Sequence, residues 1–481
     1  MPATAAQIRE LTSKQRAALL ARARAGFVAA PAAGPAAPIP ARPRPDGLAR
    51  ASCVQDQIWI AERMCPGVPM HNVSFALHLT GALDPDRLVA AVAELIRRHP
   101  ILTSHTVLTP DGLAVRSGAV PIPVTAVRDL TAASDPARRA RARVEALART
   151  RFDLDAGPWV RTELIRQTQD HYILMFVAHH AAIDGASFDL LLARLGALYE
   201  HGGEPGAAAD GGEAAFGDYA EWQREQLIGE RLDRLVEHWR GRLGEAEPAV
   251  LAPDLPRPQS ARHRGRNAWF DLPDDTTGAL RTLAAQRHTT LFVVLLSVFG
   301  DVLARRTGRT RATVGVPMAC RTTPQTQRMI GPFSNTVPVV LTAAPGRPMA
   351  ETIARVSDAL LDAAQHQEVP VTVLVDRLHR TRDAARNPLF QILVNMGNLP
   401  GGTAETGFAK GVRLRPEAVP NGTVRVDLEL TFDVSGERLA GRIEYDEDLY
   451  RPETVAALAA ELRERLIAVS AATGSGTRAN A

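Results

Sequence analysis

Two adjacent histidines and a nearby carboxylate are the side chains of this chain best suited to catalysis. His179 and His180 follow the apolar run 173–178, and Asp184-Gly185 comes shortly after them. Neighbouring side chains on an extended chain point to opposite faces, so the two imidazoles can hardly share a metal ion. We expect His179 to be buried with hydrogen-bond partners and His180 to be exposed. An exposed imidazole with an ordinary pKa suits general-base chemistry near neutral pH.

The surrounding pattern predicts the elements that hold this pair. The apolar run 173–178 has the length of one buried strand. Ser187 is a good helix N-cap, and leucines repeat at helical spacing over residues 191–198. Strand, polar loop and helix are therefore predicted in that order, with Asp184 bracing the loop or pairing with an arginine. Gly185 would allow a positive φ or a close approach of substrate to the backbone.

Composition and charge exclude one class of function. The 481 residues are 45% hydrophobic and 23% charged, which is ordinary for a globular protein of two large lobes or about three domains. The formal net charge is only +3, from 56 basic and 53 acidic residues. The arginines are interleaved with acids instead of being gathered on one face, so we expect no nucleic-acid binding.

The cysteines and the hydropathy of the chain indicate whether to expect metal sites and where in the cell the protein lies. Cys53, Cys65 and Cys320 form no C-x-x-C pair, so we expect neither a disulfide framework nor a zinc knuckle, and no metal site. No apolar run reaches ~18 residues, and no signal peptide with a cleavage site is recognisable. We therefore expect a cytoplasmic protein that has no membrane contact and is a monomer.

The string H-H-x-x-x-D-G at residues 179–185 resembles the active-site motif of the condensation domains of nonribosomal peptide synthetases. These domains belong to the chloramphenicol acetyltransferase-like superfamily. Other strings resemble further motifs of the family and occur in its order within residues 51–470. They are S-C-V-Q-D-Q-I-W from Ser52, F-G-D-Y-A-E-W from Phe216, V-G-V-P-M-A-C-R from Val314, I-G-P-F-S-N-T from Ile330, H-Q-E-V-P from His366 and R-D-A-A-R-N-P-L from Arg382.

The chain departs from the family's motifs at a few positions outside the histidine string. Cys320 stands where V-G-x-P-x-x-G-R has its second glycine. The string R-H-P-I-L-T from Arg98 resembles R-H-E-x-L-R-T, but Pro100 replaces the acid and Thr103 replaces the second arginine. These departures weaken single motifs and leave the histidine string complete.

The resemblance implies an α/β fold of two chloramphenicol acetyltransferase-like sandwich lobes, arranged as a V-shaped pseudo-dimer. A tunnel at their interface would be open to carrier proteins on both sides. The segments expected on this basis are an N-terminal helical arm (1–27), a Pro/Ala-rich linker (28–50), an N-terminal lobe with the histidine motif (51–228), an inter-lobe connection (229–262), a C-terminal lobe (263–470) and a disordered tail (471–481).

The resemblance also implies roles for individual residues. His180 would be the catalytic residue at the midpoint of the tunnel. Arg321 matches the arginine that forms a salt bridge with Asp184. Ser334 and Asn335 are candidates for the tunnel wall, unless they only pack a loop that bridges the lobes. The residues implied to hold the active-site structure are His179, Asp184, Gly185 and Arg321.

The implied reaction is acyl transfer from a thioester on the 4′-phosphopantetheine arm of a peptidyl carrier protein. The acceptor would be an amine or an alcohol, giving an amide or an ester. It would be bound to a second carrier protein or be a small soluble molecule. His180 would remove the proton of the nucleophile, or orient it and stabilise the tetrahedral intermediate. The enzyme itself would bind no cofactor.

Two other functions stay open at this stage. A carrier-dependent O-acyltransferase of a lipid or polyketide alcohol would have the same motifs. An inactive platform that recruits carrier proteins or other partners would be expected to lose the histidine or the aspartate, and both are present. The chain starts at methionine and stops after one condensation unit. This favours a free-standing enzyme, although a segment of a larger synthetase would have almost the same sequence.

Overall fold

The computed structural model describes residues 38–201, 214–378, 386–397, 405–435 and 438–478. The predicted N-terminal arm (1–27) and the first part of the linker lie outside these ranges. The strands are β1 Leu48–Arg50, β2 Asn72–Gly81, β3 His105–Thr109, β4 Gly112–Arg116, β5 Ala126–Asp129, β6 Val160–Arg166, β7 His171–His179, β8 Glu247–Pro248, β9 Gly265–Asp271, β10 Arg311–Met318, β11 Asn335–Thr342, β12 Ile392–Gly397, β13 Thr406–Ala409, β14 Val412–Ala418, β15 Leu428–Ser435 and β16 Arg438–Asp446. The helices are α1 Cys53–Met64, α2 Pro85–Arg98, α3 Pro136–Arg149, α4 Gly185–His201, α5 Phe216–Gln226, α6 Gly229–Leu243, α7 Asp274–Gln286, α8 Leu291–Thr307, α9 Met349–Gln365, α10 Val371–Arg377 and α11 Pro452–Arg478.

The N-terminal lobe is built on a sheet with the strand order β13-β14-β2-β7-β6-β5. Strand β7 lies in its interior and is covered on both faces. Leu174 and Phe176 join the core formed with α2 and α4, whereas Ile173 and Met175 pack with residues of α3. This two-sided burial explains why β7 is a continuous apolar run instead of an alternating one. The predicted order of strand, loop and helix around the histidines is confirmed by β7 and α4.

The C-terminal lobe is built on a second sheet with the order β11-β10-β12-β15-β16-β9, and β8 lies beside β10. Helices α7, α8, α9 and α11 pack with this lobe's strands and with one another. The inward side chains of β15 are Leu428, Leu430 and Phe432, each 0% exposed. These residues alternate with Glu429, Thr431 and Asp433, which is the period-2 pattern of a strand. A small third sheet joins β1, β4 and β3.

Three segments cross the boundaries that the sequence predicted between the lobes. Strand β14, from the C-terminal half, pairs with β2 of the N-terminal sheet, with Leu414 opposite Leu79. Helix α6, assigned to the connection, packs into the C-terminal core through Trp239. Met329 and Phe333 lie in the N-terminal core, although their segment follows β10. Long-range strand pairing and burial decide which lobe a segment joins, and local composition does not contain that information.

The end of the predicted linker is part of the packed structure. Ile39 is only 2% exposed. Its backbone N–H donates to Gln325 Oε1 at 2.7 Å, and Gln325 Nε2 donates back to its carbonyl at 3.0 Å. Arg42 forms ion pairs with Glu221 and Glu225 at 2.7 and 2.8 Å. Residues 38–50 are thus docked against the N-terminal lobe and against the loop that follows β10.

Helix α11 continues to Arg478, through residues that the sequence assigned to a disordered tail. Ala471 and Ala472 are strong helix formers and extend the helix beyond Ser470, which is still buried. Within the described ranges, no single helix is long and apolar enough to cross a membrane. Helices α7 and α8 meet those criteria of length and composition only together, as a pair bent by 102°.

Candidate active site

Strand β7 ends at the histidine pair and holds its backbone rigidly. The N–H of His179 donates to the carbonyl of Trp159 at 2.8 Å, and that of His180 donates to the carbonyl of His71 at 2.8 Å. The side chain of His179 is 2% exposed, whereas His180 is half-buried. The structure therefore places one imidazole inside the lobe and leaves the other accessible, as successive side chains on a strand require.

A buried network beneath the loop fixes the orientation of His179. The N–H of Ala181 donates to His179 Nδ1 at 3.2 Å, so Nε2 has the proton of the neutral ring. That Nε2 lies 3.5 Å from Glu62 Oε1, and His71 Nδ1 donates to the same oxygen at 2.8 Å. Burial alone would raise the pKa of Glu62, but its hydrogen bonds to the two histidines lower it to about 2. Glu62 is thus a fixed carboxylate that orients both rings.

His180 is electrostatically prepared to remain neutral. Burial lowers its pKa to about 4, and the positive charge of Arg425 acts in the same direction. Its Nδ1 is buried and has no hydrogen-bond partner in the described part of the chain. A neutral imidazole has one nitrogen with a free lone pair. The ring can therefore accept a proton near neutral pH without first losing one.

Asp184 is held by a buried ion pair from the other half of the chain. Arg321 Nη2 lies 2.9 Å from Asp184 Oδ1, and the two side chains are 4% and 2% exposed. Arg321 Nη2 also donates to Ser187 Oγ at 2.7 Å, and Nη1 donates to the carbonyls of Met329 (2.7 Å) and Thr326. The pair expected from the resemblance is present, but it is a single contact because the guanidinium shares its donors with the backbone.

The same cluster locks the loop after β10 onto α4. Asp184 Oδ1 accepts from the N–H of Ser187 at 2.8 Å, and Oδ2 accepts from the N–H of Phe333 at 3.1 Å. Asp184 therefore caps α4, and the sequence was wrong to give that role to Ser187. The Ser187 hydroxyl instead donates to the carbonyl of Gly331 and accepts from its N–H, at 2.8 and 3.0 Å. A Cβ at Gly331 would overlap Phe216, at 1.9 Å, so the contact requires glycine.

The remaining residues singled out in the sequence lie close by but differ in what they contact. Gly185 begins α4 without a positive φ, and no atom lies within 4 Å of where its Cβ would be. Asn335 Nδ2 donates to the carbonyls of Gln367 and Val369, at 2.8 and 2.7 Å. Its donors are thus occupied by the backbone that connects α9 to α10. Ser334 is half-buried beside it.

Two groups in the described ranges bring three possible metal-ligating atoms within 4.8 Å of one another. In the first, the carboxylate of Glu62 lies between two histidines that it already orients. In the second, His238 Nε2 lies 3.0 Å from Asp362 Oδ2, and Arg242 donates to the other oxygen at 2.8 Å. Each carboxylate already has its partners within the protein. The members of the groups are Glu62, His71 and His179, and His238, Asp362 and His366.

Sequence reasoning missed three residues around His180, namely Glu62, His71 and Arg425. Glu62 lies near the end of α1, and His71 lies in the loop before β2. No spacing rule connects them to residue 180. His71, for example, comes close only through the antiparallel pairing of β2 with β7, in which Asn72 lies opposite His179. The only signal available was chemical. A buried histidine requires a partner, so an acid on an adjacent helix could have been sought.

The sequence profile described as "Condensation domain" matches residues 47–478, and the chain belongs to this family. Its members are acyltransferases that form amide bonds in nonribosomal peptide synthesis. The chain is 34% identical over 480 residues to phosphinothricin tripeptide synthetase PhsC of Streptomyces viridochromogenes, covering 98% of this chain and 43% of the relative. It is 30% identical over 450 residues to chondramide synthase cmdD of Chondromyces crocatus, covering 92% and 11%. The chain thus spans less than half the length of these curated relatives.

Solved structures confirm the predicted two-lobed fold. The X-domain from teicoplanin biosynthesis superposes with a TM-score of 0.76 at 23% identity, over 90% of this chain and 97% of that one. A four-domain nonribosomal peptide synthetase bound to AMP and glycine gives a TM-score of 0.78 at 22% identity, over 90% of this chain and 34% of that one. The chloramphenicol acetyltransferase-like α/β class predicted from the sequence is therefore the correct one.

Proposed function

We propose that this chain transfers an acyl or aminoacyl group from a phosphopantetheine thioester on a peptidyl carrier protein to an amine, with His180 at the reaction centre. One observation supports the assignment most strongly. His180 has a half-buried imidazole at the end of a rigid strand, its low pKa keeps the ring neutral, and its buried Nδ1 has no hydrogen-bond partner in the described ranges. Family membership provides the reaction class, and this ring provides a group that can take part in it.

The chemical step is a substitution at the thioester carbonyl. The amine nitrogen attacks the carbonyl carbon, and a tetrahedral intermediate forms. Nε2 of His180, and not the buried Nδ1, hydrogen-bonds the attacking amine and takes its proton. The C–S bond then breaks and the proton is returned to the departing thiolate, so the products are an amide and the free thiol of the carrier arm.

The surrounding residues act by positioning. Glu62 and His179 hold the backbone on the strand side of His180, and Asp184 with Arg321 holds the loop on the other side. A thioester is already activated, so correct placement of the amine supplies much of the rate. In this proposal His179, Asp184 and Arg321 are positioning residues, and only His180 contacts the reacting atoms.

The low pKa of His180 favours an amine acceptor over an alcohol. A general base is most effective when its pKa lies near the working pH, and this ring titrates at about 4. It is therefore a weak base for an alcohol, which attacks only as its proton leaves. An uncharged amine needs much less help. The intact network around the ring supports an active enzyme over an inactive recruitment platform.

The partners follow from the same chemistry. The donor is a peptidyl carrier protein, which supplies the phosphopantetheine arm as part of the substrate. The acceptor amine is a second carrier's aminoacyl group or a small soluble amine. The open space beside Gly185 at the start of α4 is where we place the approach of the substrate to His180.

The test is a reconstituted reaction with acyl-loaded carrier protein and a panel of free and carrier-bound amines and alcohols. His180→Ala should lower kcat/KM with the amine by about 10²- to 10⁴-fold. Its circular dichroism melt should be unchanged. The matched control is His201→Ala, an exposed histidine at the end of α4, which should retain full activity. A folded wild-type protein that makes no product with any acceptor would refute the proposal. Faster esterification than amidation would replace it with O-acyl transfer.

A further inference from the structure

One face of the C-terminal sheet carries charged residues close to His180. On β15, Glu429 and Asp433 alternate with the apolar residues that enter the core, so both lie on the opposite face. On β16, Arg442 and Glu444 occupy that face, and Glu444 is directly opposite Glu429 in the register. We call the three acids Glu429, Asp433 and Glu444 the carboxylate face.

The carboxylate face is built into the strands and is not a chance cluster of mobile side chains. Glu429 and Glu444 have side chains that are only 7% and 15% exposed. Asp433 lies opposite Gly397 of β12, where a Cβ would be 1.9 Å from its Oδ1. The glycine thus leaves the space that the Asp433 carboxylate occupies. Their positions in the strands therefore fix where the three carboxylates lie.

The acids of this face are not balanced by the cations around them. Arg425 is committed to Glu429, with N···O distances of 3.1 and 3.4 Å. Arg442 lies 3.6 Å from Glu444, beyond hydrogen-bond range, and donates instead to Asn267 at 3.4 Å. Glu444 has no hydrogen bond in the described part of the chain, and burial with the nearby charge of Glu429 raises its pKa to about 7. Three carboxylates thus face two guanidiniums, and the ion pair of Glu444 with Arg442 is made without a hydrogen bond.

The carboxylate face and His180 belong to the same region of the molecule. The segment between β14 and β15 passes beside the residues that flank His71, because Asn421 Nδ2 donates to the carbonyls of Pro69 and Asn72, at 2.9 and 3.3 Å. The backbone carbonyl of His71 in turn accepts a hydrogen bond from the backbone N–H of His180. Arg425 follows on this segment, and its charge acts on both His180 and Glu429. Arg425 thus links the surroundings of His180 to the carboxylate face.

The geometry points to an acceptor with a second, permanently protonated amino group, which is bound by Glu444 and the adjacent Glu429 while the first amine reacts at His180. This inference rests on the proposed function and adds the chemical class of the acceptor. An ammonium provides the missing positive charge and can donate to both carboxylates. It also resolves the repulsion between Glu429 and Glu444, so binding should be stronger than at an exposed acid. Trp269, 61% exposed and beside Arg442, offers an apolar surface for the carbon chain of such a molecule.

The experiment compares acceptors of one length and different charge. With one acyl-loaded carrier protein, kcat/KM is measured for hexylamine, hexamethylenediamine and aminocaproate. Wild type should prefer the diamine over hexylamine by about tenfold, more than its two equivalent amines account for. Glu444→Gln should remove the preference by lowering kcat/KM for the diamine to that for hexylamine. Glu444→Lys should shift the preference to aminocaproate. The control is Glu464→Gln on the exposed side of α11, which should retain the preference of the wild type.

A binding measurement keeps the two proposals separable. Hexamethylenediamine and hexanediol are titrated calorimetrically into the wild type and Glu444→Gln without any donor. The diamine should bind the wild type about tenfold more tightly than the variant, and the diol should bind neither. Equal binding of the diamine to both proteins would overturn the inference, even if amide formation is established. Selective binding without product from any acceptor would support the carboxylate face and count against the proposed reaction.

Discussion

Two charged clusters act on His180, and they differ in how completely their charges are satisfied. Around Arg321 and Asp184, the carboxylate accepts from one guanidinium and two backbone N–H groups, and the guanidinium donates to two carbonyls as well. On the carboxylate face, Arg425 has a close partner in Glu429, but Glu444 has no hydrogen bond in the described ranges. Both clusters are largely buried, so burial alone does not explain the difference.

The difference teaches what each cluster is suited to do. Both oxygens of Asp184 and both Nη atoms of Arg321 are hydrogen-bonded, although Arg321 Nε has no partner in the described ranges. Such a buried network favours one arrangement, and it fixes the parts that it joins. Here it joins the histidine loop of one lobe to the loop after β10 of the other. A largely buried carboxylate whose nearest guanidinium is too far away for a hydrogen bond stores unfavourable energy that a ligand cation can release. The first cluster therefore positions the histidine loop, and the second is available to bind a cation.

The largest expected effect comes from breaking the satisfied cluster. Arg321→Ala leaves Asp184 buried without its cation, so the free energy of unfolding should fall by about 3–5 kcal/mol. Urea denaturation, monitored by tryptophan fluorescence, measures this change in the free energy of unfolding. The control is Arg234→Ala, whose guanidinium is 71% exposed and pairs only with an exposed glutamate, and it should change stability by less than about 1 kcal/mol. If the two variants were equally stable, the cluster would not be the fixed junction described here.

The two clusters also differ in how far the sequence could predict them. The contact between Asp184 and Arg321 was predictable, because both residues lie in motifs of the family and the resemblance implies a salt bridge between these two positions. Glu444 lies in no such motif, and its neighbour Glu429 is identified only by the register of β15 against β16. The same limit applies to Glu62 and to the crossing of β14 into the N-terminal sheet. Strands and helices were predictable from local periodicity, whereas pairings between distant segments required the three-dimensional structure.

A smaller effect is expected from Glu444→Gln, and it should depend on pH. Burial and the charge of Glu429 raise the pKa of Glu444 in the folded protein from 4.5 to about 7. Between these values the folded state binds the proton more tightly than the unfolded state, so the stability of the wild type falls as pH rises through this window. A neutral glutamine removes this loss. Glu444→Gln should therefore be more stable than the wild type at about pH 8, with little difference below about pH 4.5.

Urea midpoints at the two pH values test this prediction, with Glu464→Gln as the control for loss of an exposed acid. Arg425, Arg442 and Glu429 also face Glu444, and all three are present in both the wild type and the variant. A variant that is less stable than the wild type at the higher pH would show that Glu444 has a favourable partner, and the contrast between the clusters would then disappear. Stabilisation together with loss of diamine selectivity would be the usual exchange of stability for function.

The smallest expected effect concerns a strained residue inside the satisfied cluster. Cys320, adjacent to Arg321, has a φ of +51°, in the left-handed region that glycine adopts without cost. The family's motif has glycine at this position, and the conformation explains why. Cys320→Gly and Cys320→Ala both remove the buried sulfur, but only glycine relieves the strain. The glycine variant should therefore be more stable than the alanine variant by about 1 kcal/mol in urea denaturation. Equal stability of the two would mean that the cluster does not hold this backbone in the left-handed conformation in solution.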